Sequence, residues 1–412
     1  MSPAPRVQSA GEYLARGLLA LAAVAFALVS LEIGFRVATR GRGGEEDGAA
    51  AQYVGFDPLL GWSKRAGASA LFRRSEYVQE VRINSLGQRD RERVYDRPPG
   101  TFRILALGDS FVEGYTVSLE ATATQVLEGR LSRPGCPVEV LNAGTAGYST
   151  DQEYLFFREE GYRYEPDVVA LFFYYNDIAP TLQGNYYGRP KPQFVARGDT
   201  LRLKRGTLPR PSPRERAQLE ASDAGGTRSA LLEWTRQRLQ RGQPGLYNRL
   251  AAFGLWSALP VGPPRPDLAV YRRRDIPAWV ETGFNQIAAL LRALRDEVAS
   301  RAGRLVVVYV PNPMEVSERA RELTRIAYGM NDEDWDVDRV RRRLAAIASR
   351  QRIPLVDLTP GMRSAQGLLE GPYLVVDRHW NALGHRIAAV ELERGLFEAG
   401  LLPPCAEVAG AS

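Results

Sequence analysis

The sequence predicts an α/β fold built around a five-stranded parallel sheet. From Thr101 onward, short apolar runs alternate with stretches of helical periodicity, which is typical of parallel strands joined by helices. The first apolar run, Phe102–Leu107, ends abruptly on Gly108-Asp109-Ser110. Because ligands bind outside the carboxyl ends of the strands in open α/β sheets, this ending also predicts where a functional site lies.

Five apolar runs supply the expected strands, and helical patterns lie between them. The strands are expected at Phe102–Leu107, Val138–Asn142, Val168–Tyr174, Leu305–Val310 and Ile353–Val356. The helices are expected at Ala121–Leu131, Asp151–Glu160, Pro277–Ser300, Met314–Tyr328, Val337–Arg350 and Ala382–Ala399. We therefore expect one α/β domain over residues 101–400, followed by a C-terminal tail over 401–412.

The regular alternation stops over residues 178–275. This stretch is rich in Pro, Gly and Arg, and it shows a helical pattern at Ser229–Arg241. A segment this long inside a domain favours a lid or a binding insertion over a plain connection. We expect residues 178–275 to form such an insertion in the α/β domain.

An apolar segment near the start of the chain predicts a membrane anchor over residues 17–35, after a short tail over 1–16. Residues 17–31 carry no charge, and Glu32 lies four residues before Arg36, close enough to pair at the interface. A helix over 17–35 is about 28 Å long, near the thickness of a hydrocarbon core. A cleaved signal peptide is the alternative, although no typical cleavage site follows. Flanking charges are nearly balanced and do not set the orientation.

Two regions separate this segment from the α/β domain. Residues 36–52 form a linker that is rich in Gly, Ala and acidic residues toward its end, a composition typical of flexible chain. Residues 53–100 are expected to form a small β extension, because the alternation over 77–83 favours a strand and Asn84-Ser85-Leu86-Gly87 favours a turn.

Composition excludes several classes of function. The net charge is +6, but the basic residues are spread along the chain and are nearly all arginine, whereas nucleic-acid binding requires a clustered basic surface. No glycine-rich phosphate loop with a following lysine is present. The only histidines are His379 and His385, which are too few for the usual two-metal site. We expect no metal ion, no cofactor and no nucleic-acid partner.

The chain has two cysteines, Cys136 and Cys405. Their spacing fits neither a metal site nor a Cys-x-x-Cys redox motif. They either join the C-terminal tail to the domain as a disulfide or remain two free thiols.

Ser110 allows two interpretations. Together with Asp109 it could merely cap the next helix, or it could be a nucleophile exposed at the strand end. A serine nucleophile requires a histidine base, an acid that orients the histidine, and donors for the oxyanion. The chain offers each of these where a strand ends or just before the last helix. They are the turn over 144–147, Asn176, and the segment Asp377-Arg378-His379.

These residues resemble the sequence blocks of the SGNH (GDSL-type) hydrolase superfamily over roughly residues 101–398. The four matching blocks are Gly108-Asp109-Ser110, Asn142-Ala143-Gly144-Thr145-Ala146-Gly147, Asn176-Asp177 and Asp377-Arg378-His379. The resemblance implies a three-layer, flavodoxin-like SGNH fold. It also implies Ser110 as nucleophile, His379 as base, Asp377 as acid, and Gly147 and Asn176 as oxyanion donors.

Two positions depart from the family pattern. Tyr174 stands where the third block usually has glycine, and one residue separates Asp377 from His379 where many members have two. Asp109 is expected to belong to the local turn and hydrogen-bond network. His385 is expected to have a structural hydrogen-bonding role.

The expected function is that of a membrane-anchored serine esterase that acts on an acyl ester, in particular an acetyl ester, of a carbohydrate or lipid. One alternative is an O-acyltransferase that moves an acetyl group onto a cell-envelope or secreted polysaccharide. Another is a non-catalytic glycan-binding scaffold. We expect the α/β domain to be periplasmic or extracellular.

Overall fold

A computed structural model describes the α/β domain and most of the β extension. It covers residues 26–34, 49–74, 76–186, 189–197, 200–205, 207–209, 266–328, 330–367, 371–403 and 405, with single residues at 19, 23, 235, 238, 239 and 246. Most of the predicted linker, most of the helix predicted over 229–241 and part of the predicted anchor lie outside these residues. Within the described part of the chain, no helix is both long and apolar enough to span a membrane.

The N-terminal extension consists of a short helix and two antiparallel hairpins. These elements are α1 (Ala49–Tyr53), β1 (Val54–Asp57), β2 (Gly61–Lys64), β3 (Ser69–Arg73) and β4 (Val78–Arg82). β4 lies within the predicted strand at 77–83. Tyr53, Trp62 and Phe72 are buried and join the same hydrophobic core as one face of the main sheet. The hairpins therefore pack directly on the α/β domain.

The α/β domain begins with three strands and their connecting helices. In chain order these are β5 (Phe102–Leu107), α2 (Ser110–Glu113), α3 (Ala123–Leu131), β6 (Val138–Asn142), α4 (Thr150–Glu159) and β7 (Val168–Phe173). The insertion then contributes β8 (Asn185–Tyr186), β9 (Arg189–Pro190), β10 (Gln193–Arg197) and β11 (Thr200–Arg205), which pair as two hairpins.

The second half of the domain completes the sheet. Its elements are α5 (Ala278–Ser300), β12 (Arg304–Tyr309), α6 (Pro313–Val316), α7 (Glu318–Tyr328), α8 (Arg339–Gln351), β13 (Leu355–Asp357), α9 (Thr359–Ser364) and α10 (Ala382–Glu398). Each of the five predicted strands of the main sheet is present within two residues of its expected bounds.

The five strands form one parallel sheet in the order β13-β12-β7-β5-β6. Numbered in chain order and read from β6, this is the doubly wound order 2-1-3-4-5, in which the order of strand addition reverses between β5 and β7. In folds with this order, ligands bind at that point, outside the carboxyl ends of the strands. The α/β fold with a five-stranded parallel sheet is thus confirmed, and its topology directs attention to the ends of β5 and β7.

Alternate residues of the strands supply two separate hydrophobic cores. In β7, Val169, Leu171 and Phe173 face one core, whereas Val168, Ala170 and Phe172 face the other. The first core includes buried side chains of α4, α5 and α8, and the second includes those of α3 and α10. Strands that are buried on both faces in this way consist of continuous apolar runs in the sequence. For this reason they could be located from the sequence.

Cys136 and Cys405 form a disulfide, with their Cα atoms 5.7 Å apart. The bond joins Cys136, two positions before β6, to Cys405 in the segment that follows α10. Because α10 also packs on α3, the disulfide reinforces a contact between helices on one face of the sheet. Of the two alternatives left open by the sequence, the structure has the disulfide.

Candidate active site

Ser110 lies at the sharp turn where β5 ends and α2 begins. Gly108 permits this turn, since a Cβ there would lie 2.4 Å from Val112 Cγ2. Asp109 caps α2, and its Oδ1 accepts a hydrogen bond of 2.9 Å from the Phe111 N–H. Ser110 Oγ lies 2.7 Å from His379 Nε2. The capping role therefore belongs to Asp109, and the Ser110 hydroxyl meets the imidazole.

Asp377 and His379 lie close together on the loop before α10. Asp377 Oδ1 is 2.5 Å from His379 Nδ1. The intervening Arg378 adopts a φ of +68°, in the left-handed region, and this local turn brings the two side chains together. The one-residue spacing, a departure from the family pattern, thus still allows contact between acid and imidazole.

The environment shifts the pKa values of both partners. Burial lowers the pKa of His379, but the hydrogen bond and negative charge of Asp377 outweigh burial, so the pKa lies above its ordinary value of 6.5. Burial raises the pKa of Asp377, but its hydrogen bond and the charge of His379 outweigh burial and hold the pKa below its ordinary range. Both shifts favour the charged pair.

Asn176 lies in a single 3-10 turn, Tyr175–Asp177, directly after β7. Its Nδ2 donates a hydrogen bond of 3.2 Å to Asp109 Oδ2. Asn176 Oδ1 is buried and has no hydrogen-bond partner among the described residues. Asp109 thus links the amide of Asn176 to the turn that carries Ser110, and burial raises the pKa of its carboxyl.

Gly147 lies in the turn that follows β6. The Thr145 N–H of this turn donates a hydrogen bond of 3.0 Å to the Gly108 carbonyl, so the turn is attached to the segment that carries Ser110. Gly147 has a φ of +77°, which a residue with a side chain would adopt only with strain. The structure therefore brings all five predicted site residues to one edge of the sheet, with direct side-chain contacts among Ser110, His379 and Asp377.

Tyr174 explains the other departure from the family pattern. Its φ is −117°, a conformation that does not require glycine. Its ring packs 4.8 Å from that of Phe111, and Phe111 in turn packs 4.9 Å from the imidazole of His379. Tyr174 therefore forms part of an aromatic wall beside the site.

Sequence reasoning missed the residues of the β extension that hold the turn after β6. Trp62 Nε1 donates to the Ala146 carbonyl at 3.0 Å. Lys64 Nζ donates to the Gly144 carbonyl and, at 2.8 Å, to Thr145 Oγ1. Lys64 is buried, and burial lowers the pKa of its ammonium to about 8. The chain has only three lysines, and this scarcity is the one sequence feature that could have pointed to Lys64.

The extension also holds the helix that carries Ser110. Tyr53 donates to Glu113 Oε1 at 2.5 Å, and Glu113 Oε2 accepts a hydrogen bond of 2.6 Å from the Ala146 N–H. Arg89 donates to the carbonyls of Glu113 and Gly114 at the end of α2. Glu113 is therefore a buried link between α2, the turn after β6 and the extension.

A third contact of the extension reaches the loop before α10. The Tyr77 hydroxyl donates to Asp377 Oδ2 at 2.9 Å. The Glu76 carboxylate accepts hydrogen bonds from the N–H groups of Val375, Val376 and Asp377. Every segment that carries a predicted triad residue is thus attached to the extension.

His385 lies apart from these contacts. It is 1% exposed, and its Nδ1 accepts a hydrogen bond of 3.2 Å from the Ala123 N–H. This is a structural contact between α10 and α3, as the sequence predicted. No group of three or more His, Cys, Asp or Glu side chains that could hold a metal ion occurs within the described residues.

Comparison with known proteins identifies one family. The model of the GDSL-like lipase/acylhydrolase family matches residues 106–387. Solved structures that are similar include the acetylxylan esterase Axe2 from Geobacillus stearothermophilus, at 15% identity over 72% of this chain and 94% of that chain, with a TM-score of 0.37. Another is TesA, at 12% identity over 73% of this chain and 99% of that chain, with a TM-score of 0.34. No curated protein sequence matches the chain.

Proposed function

Because the chain belongs to the GDSL-like lipase/acylhydrolase family, we propose that it is a serine esterase with Ser110, His379 and Asp377 as its catalytic triad. The observation that carries the proposal is the continuous path of contacts from Ser110 Oγ to His379 at 2.7 Å and from His379 to Asp377 at 2.5 Å. A neutral imidazole that donates from Nδ1 to Asp377 has an unprotonated Nε2, which can accept the serine proton.

The reaction begins with attack of Ser110 Oγ on the ester carbonyl carbon while His379 Nε2 takes the hydroxyl proton. The resulting oxyanion receives hydrogen bonds from Asn176 Nδ2 and from the backbone N–H groups of Gly147 and Ser110. His379 then gives its proton to the departing alcohol oxygen, the C–O bond to that alcohol breaks, and an acyl-serine remains. A water molecule, deprotonated by His379, attacks the acyl-serine. The bond between Ser110 Oγ and the acyl carbon then breaks, Oγ takes the proton back from His379, and the carboxylic acid is released.

We propose an acyl ester, in particular an acetyl ester, of a carbohydrate or lipid as the substrate. Tyr174, which is half-buried and packs on Phe111 beside His379, supports a substrate that presents apolar surface next to the ester, as sugar rings and acyl chains do. Transfer of the acetyl group to a polysaccharide hydroxyl would use the same residues, with the sugar in place of water. Measuring free acetate against acetylated oligosaccharide distinguishes the two reactions.

Ser110→Ala tests the proposed nucleophile. We expect hydrolysis of p-nitrophenyl acetate to fall by at least about 10³-fold, with an unchanged thermal unfolding midpoint. Ser118→Ala is the matched control, because Ser118 is exposed and its side chain makes no capping hydrogen bond. We also expect a serine-directed phosphonate to label Ser110 in the native protein. Undiminished turnover in Ser110→Ala, or the absence of labelling at Ser110, would overturn the proposal and favour a non-catalytic binding protein.

We further propose that residues 17–35 anchor the protein in a membrane, with the α/β domain on the periplasmic or extracellular side. The Cys136–Cys405 disulfide supports this location, since disulfides persist in oxidising compartments. Residues 26–34 are helical, and Phe26 and Leu28 are exposed. Protease added to sealed vesicles tests the orientation. We expect digestion of the α/β domain in spheroplasts and protection in inverted inner-membrane vesicles, and the reverse pattern would contradict the proposal.

A further inference from the structure

The loop over residues 374–379, which carries Asp377, closes on itself by backbone hydrogen bonds. The Leu374 N–H donates to the His379 carbonyl at 2.8 Å, and the Arg378 N–H donates to the Leu374 carbonyl at 3.1 Å. These bonds leave the N–H groups of residues 375–377 without a partner inside the loop. Their partner is a side chain in the turn of a hairpin that packs against the loop.

This element is the hairpin β3–β4 of the extension. The Arg74 N–H donates to the Tyr77 carbonyl at 2.8 Å, which places Glu76 and Tyr77 at the tip of the hairpin. The Glu76 carboxylate lies 2.7 Å from the Val375 nitrogen, 3.0 Å from the Val376 nitrogen and 2.8 Å from the Asp377 nitrogen. One carboxylate therefore binds three successive amides, an arrangement that holds the loop by charge-assisted hydrogen bonds.

The two oxygens of Asp377 have different partners. Oδ1 contacts His379 Nδ1, and Oδ2 accepts the hydrogen bond of 2.9 Å from the Tyr77 hydroxyl. A carboxylate held at both oxygens cannot rotate about its last bond without losing one of these hydrogen bonds. The side chain of Asp377 is only 16% exposed, so water is a poor substitute for Tyr77.

We propose that Glu76 and Tyr77 are positioning residues of the catalytic triad, which fix the loop and the carboxylate of Asp377 against His379. Both residues precede the matched region of the family, which begins at residue 106. The acid of the triad is thus oriented by a hairpin outside that region. The inference rests on the proposed function, because positioning matters only if Asp377 and His379 act on Ser110.

Tyr77→Phe is the direct test. Loss of the hydroxyl frees the carboxylate to rotate, so we expect kcat to fall about five- to tenfold with KM within twofold of the native value. Without the Tyr77 hydrogen bond, the negative charge of Asp377 stabilises protonated His379 more strongly. We therefore expect the acid limb of the pH–rate profile to move upward by about half a pH unit. The other titratable groups facing this pair are Tyr115, Asp109, His385 and, through Tyr77 and the loop, Arg74 and Glu76. The substitution keeps all of these groups but removes the hydrogen bond between the Tyr77 hydroxyl and the Arg74 side chain.

Tyr95→Phe is the matched control. Tyr95 belongs to the same extension and also donates to a carboxylate, that of Glu160. It packs on Tyr164, away from the described contacts of the site. We expect this variant to have the native kcat and the native acid limb.

Glu76→Gln and Glu76→Ala provide the second test, with Glu80→Ala as control because Glu80 is an exposed residue of the same hairpin that pairs with Arg82. Gln keeps one acceptor oxygen, so we expect a graded loss of kcat, larger for Ala than for Gln. The downfield proton signal of the His379–Asp377 hydrogen bond should shift in both. These variants carry the test if Tyr77→Phe does not fold.

The outcomes separate this inference from the proposed function. If Ser110→Ala remains active, the proposed function fails and the inference fails with it. If Ser110→Ala is inactive but Tyr77→Phe and Glu76→Ala keep the native kcat and acid limb, the inference alone is overturned. A lower kcat with an unmoved acid limb and an unmoved proton signal also overturns it, because that result indicates a merely structural role.

Discussion

Oδ1 of Asp377 lies 2.5 Å from Nδ1 of His379, although Arg378 alone separates the two residues in the chain. The contact holds the pKa of His379 above 6.5 against the opposing effect of burial. In the proposed mechanism His379 must be neutral in order to accept the proton of Ser110. We therefore expect the pKa of this one residue to set the low-pH limit of activity.

The first prediction concerns that limit. Because the pKa of His379 is raised, we expect kcat/KM to increase with pH along an acid limb whose midpoint lies above 6.5. Asp377→Asn removes the negative charge and keeps the size of the side chain. We expect this variant to lower the midpoint and to reduce kcat by about 10²- to 10⁴-fold. Fixed-time assays from pH 4 to 9, on an ester whose leaving group does not titrate in this range, measure both the midpoint and kcat. A native midpoint below 6.5 would contradict the assignment.

The second prediction concerns Asn176. Its Nδ2 donates to Asp109 and can offer its second hydrogen to an oxyanion. We expect Asn176→Ala to reduce kcat by about 10²- to 10³-fold, with a small change in KM, because the lost hydrogen bond is strongest in the transition state. Asn185→Ala, at an exposed position on β8, is the control. Equal losses in kcat and in substrate affinity would argue against an oxyanion role.

The elements of the main sheet could be predicted because their signal is local. Each strand is a continuous apolar run, and the blocks around Ser110, Asn176 and His379 follow strands or precede a helix. The last strand shows the limit of this approach. It was predicted at Ile353–Val356 and spans Leu355–Asp357, because the apolar run includes residues that precede the paired segment.

The contacts between the extension and the site could not be predicted from one sequence. Trp62 meets Ala146, and Tyr77 meets Asp377, across separations of 84 and 300 residues. Such contacts depend on how the hairpins pack on the sheet, which no local pattern encodes. The turn at Arg378 could not be predicted either, because arginine rarely adopts a positive φ. The closed loop around Arg378 imposes this conformation.

The third prediction concerns the disulfide. Cys136 and Cys405 are 269 residues apart in the chain, and a cross-link over so long a loop restricts the unfolded state strongly. We expect the double variant with both cysteines changed to serine to lose about 2–5 kcal/mol of unfolding free energy, measured by urea denaturation. Activity at 25 °C should be retained, since the bond lies between α3 and the tail. The reductant-treated native protein should match the double variant, and equal stability with and without reductant would contradict the prediction.

The fourth prediction concerns His385, whose environment disfavours its charged form. Burial, together with the positive charge of Arg89, lowers the pKa of His385 to about 3. Its Nδ1 accepts a hydrogen bond from the Ala123 N–H, a role that only an unprotonated nitrogen can fill. The imidazole ring also packs 5.4 Å from that of Trp380. The folded protein therefore holds His385 neutral at pH values where the unfolded chain protonates it.

This difference has a defined sign. As pH falls from 6.5 toward 3, the unfolded state binds a proton at His385 and the folded state does not, so the residue's contribution to stability decreases by up to about 1.4 kcal/mol per pH unit. His385→Gln keeps an acceptor for Ala123 but does not titrate. We expect the variant to be less stable at pH 8 and to lose about 2 kcal/mol less than the native protein between pH 7 and 5, measured by urea denaturation. His379 contributes with the opposite sign, because its pKa is raised and its contribution to stability is lost as pH rises. In His379→Gln this contribution is absent. Parallel stability curves for native protein and His385→Gln would show that His385 is not held neutral.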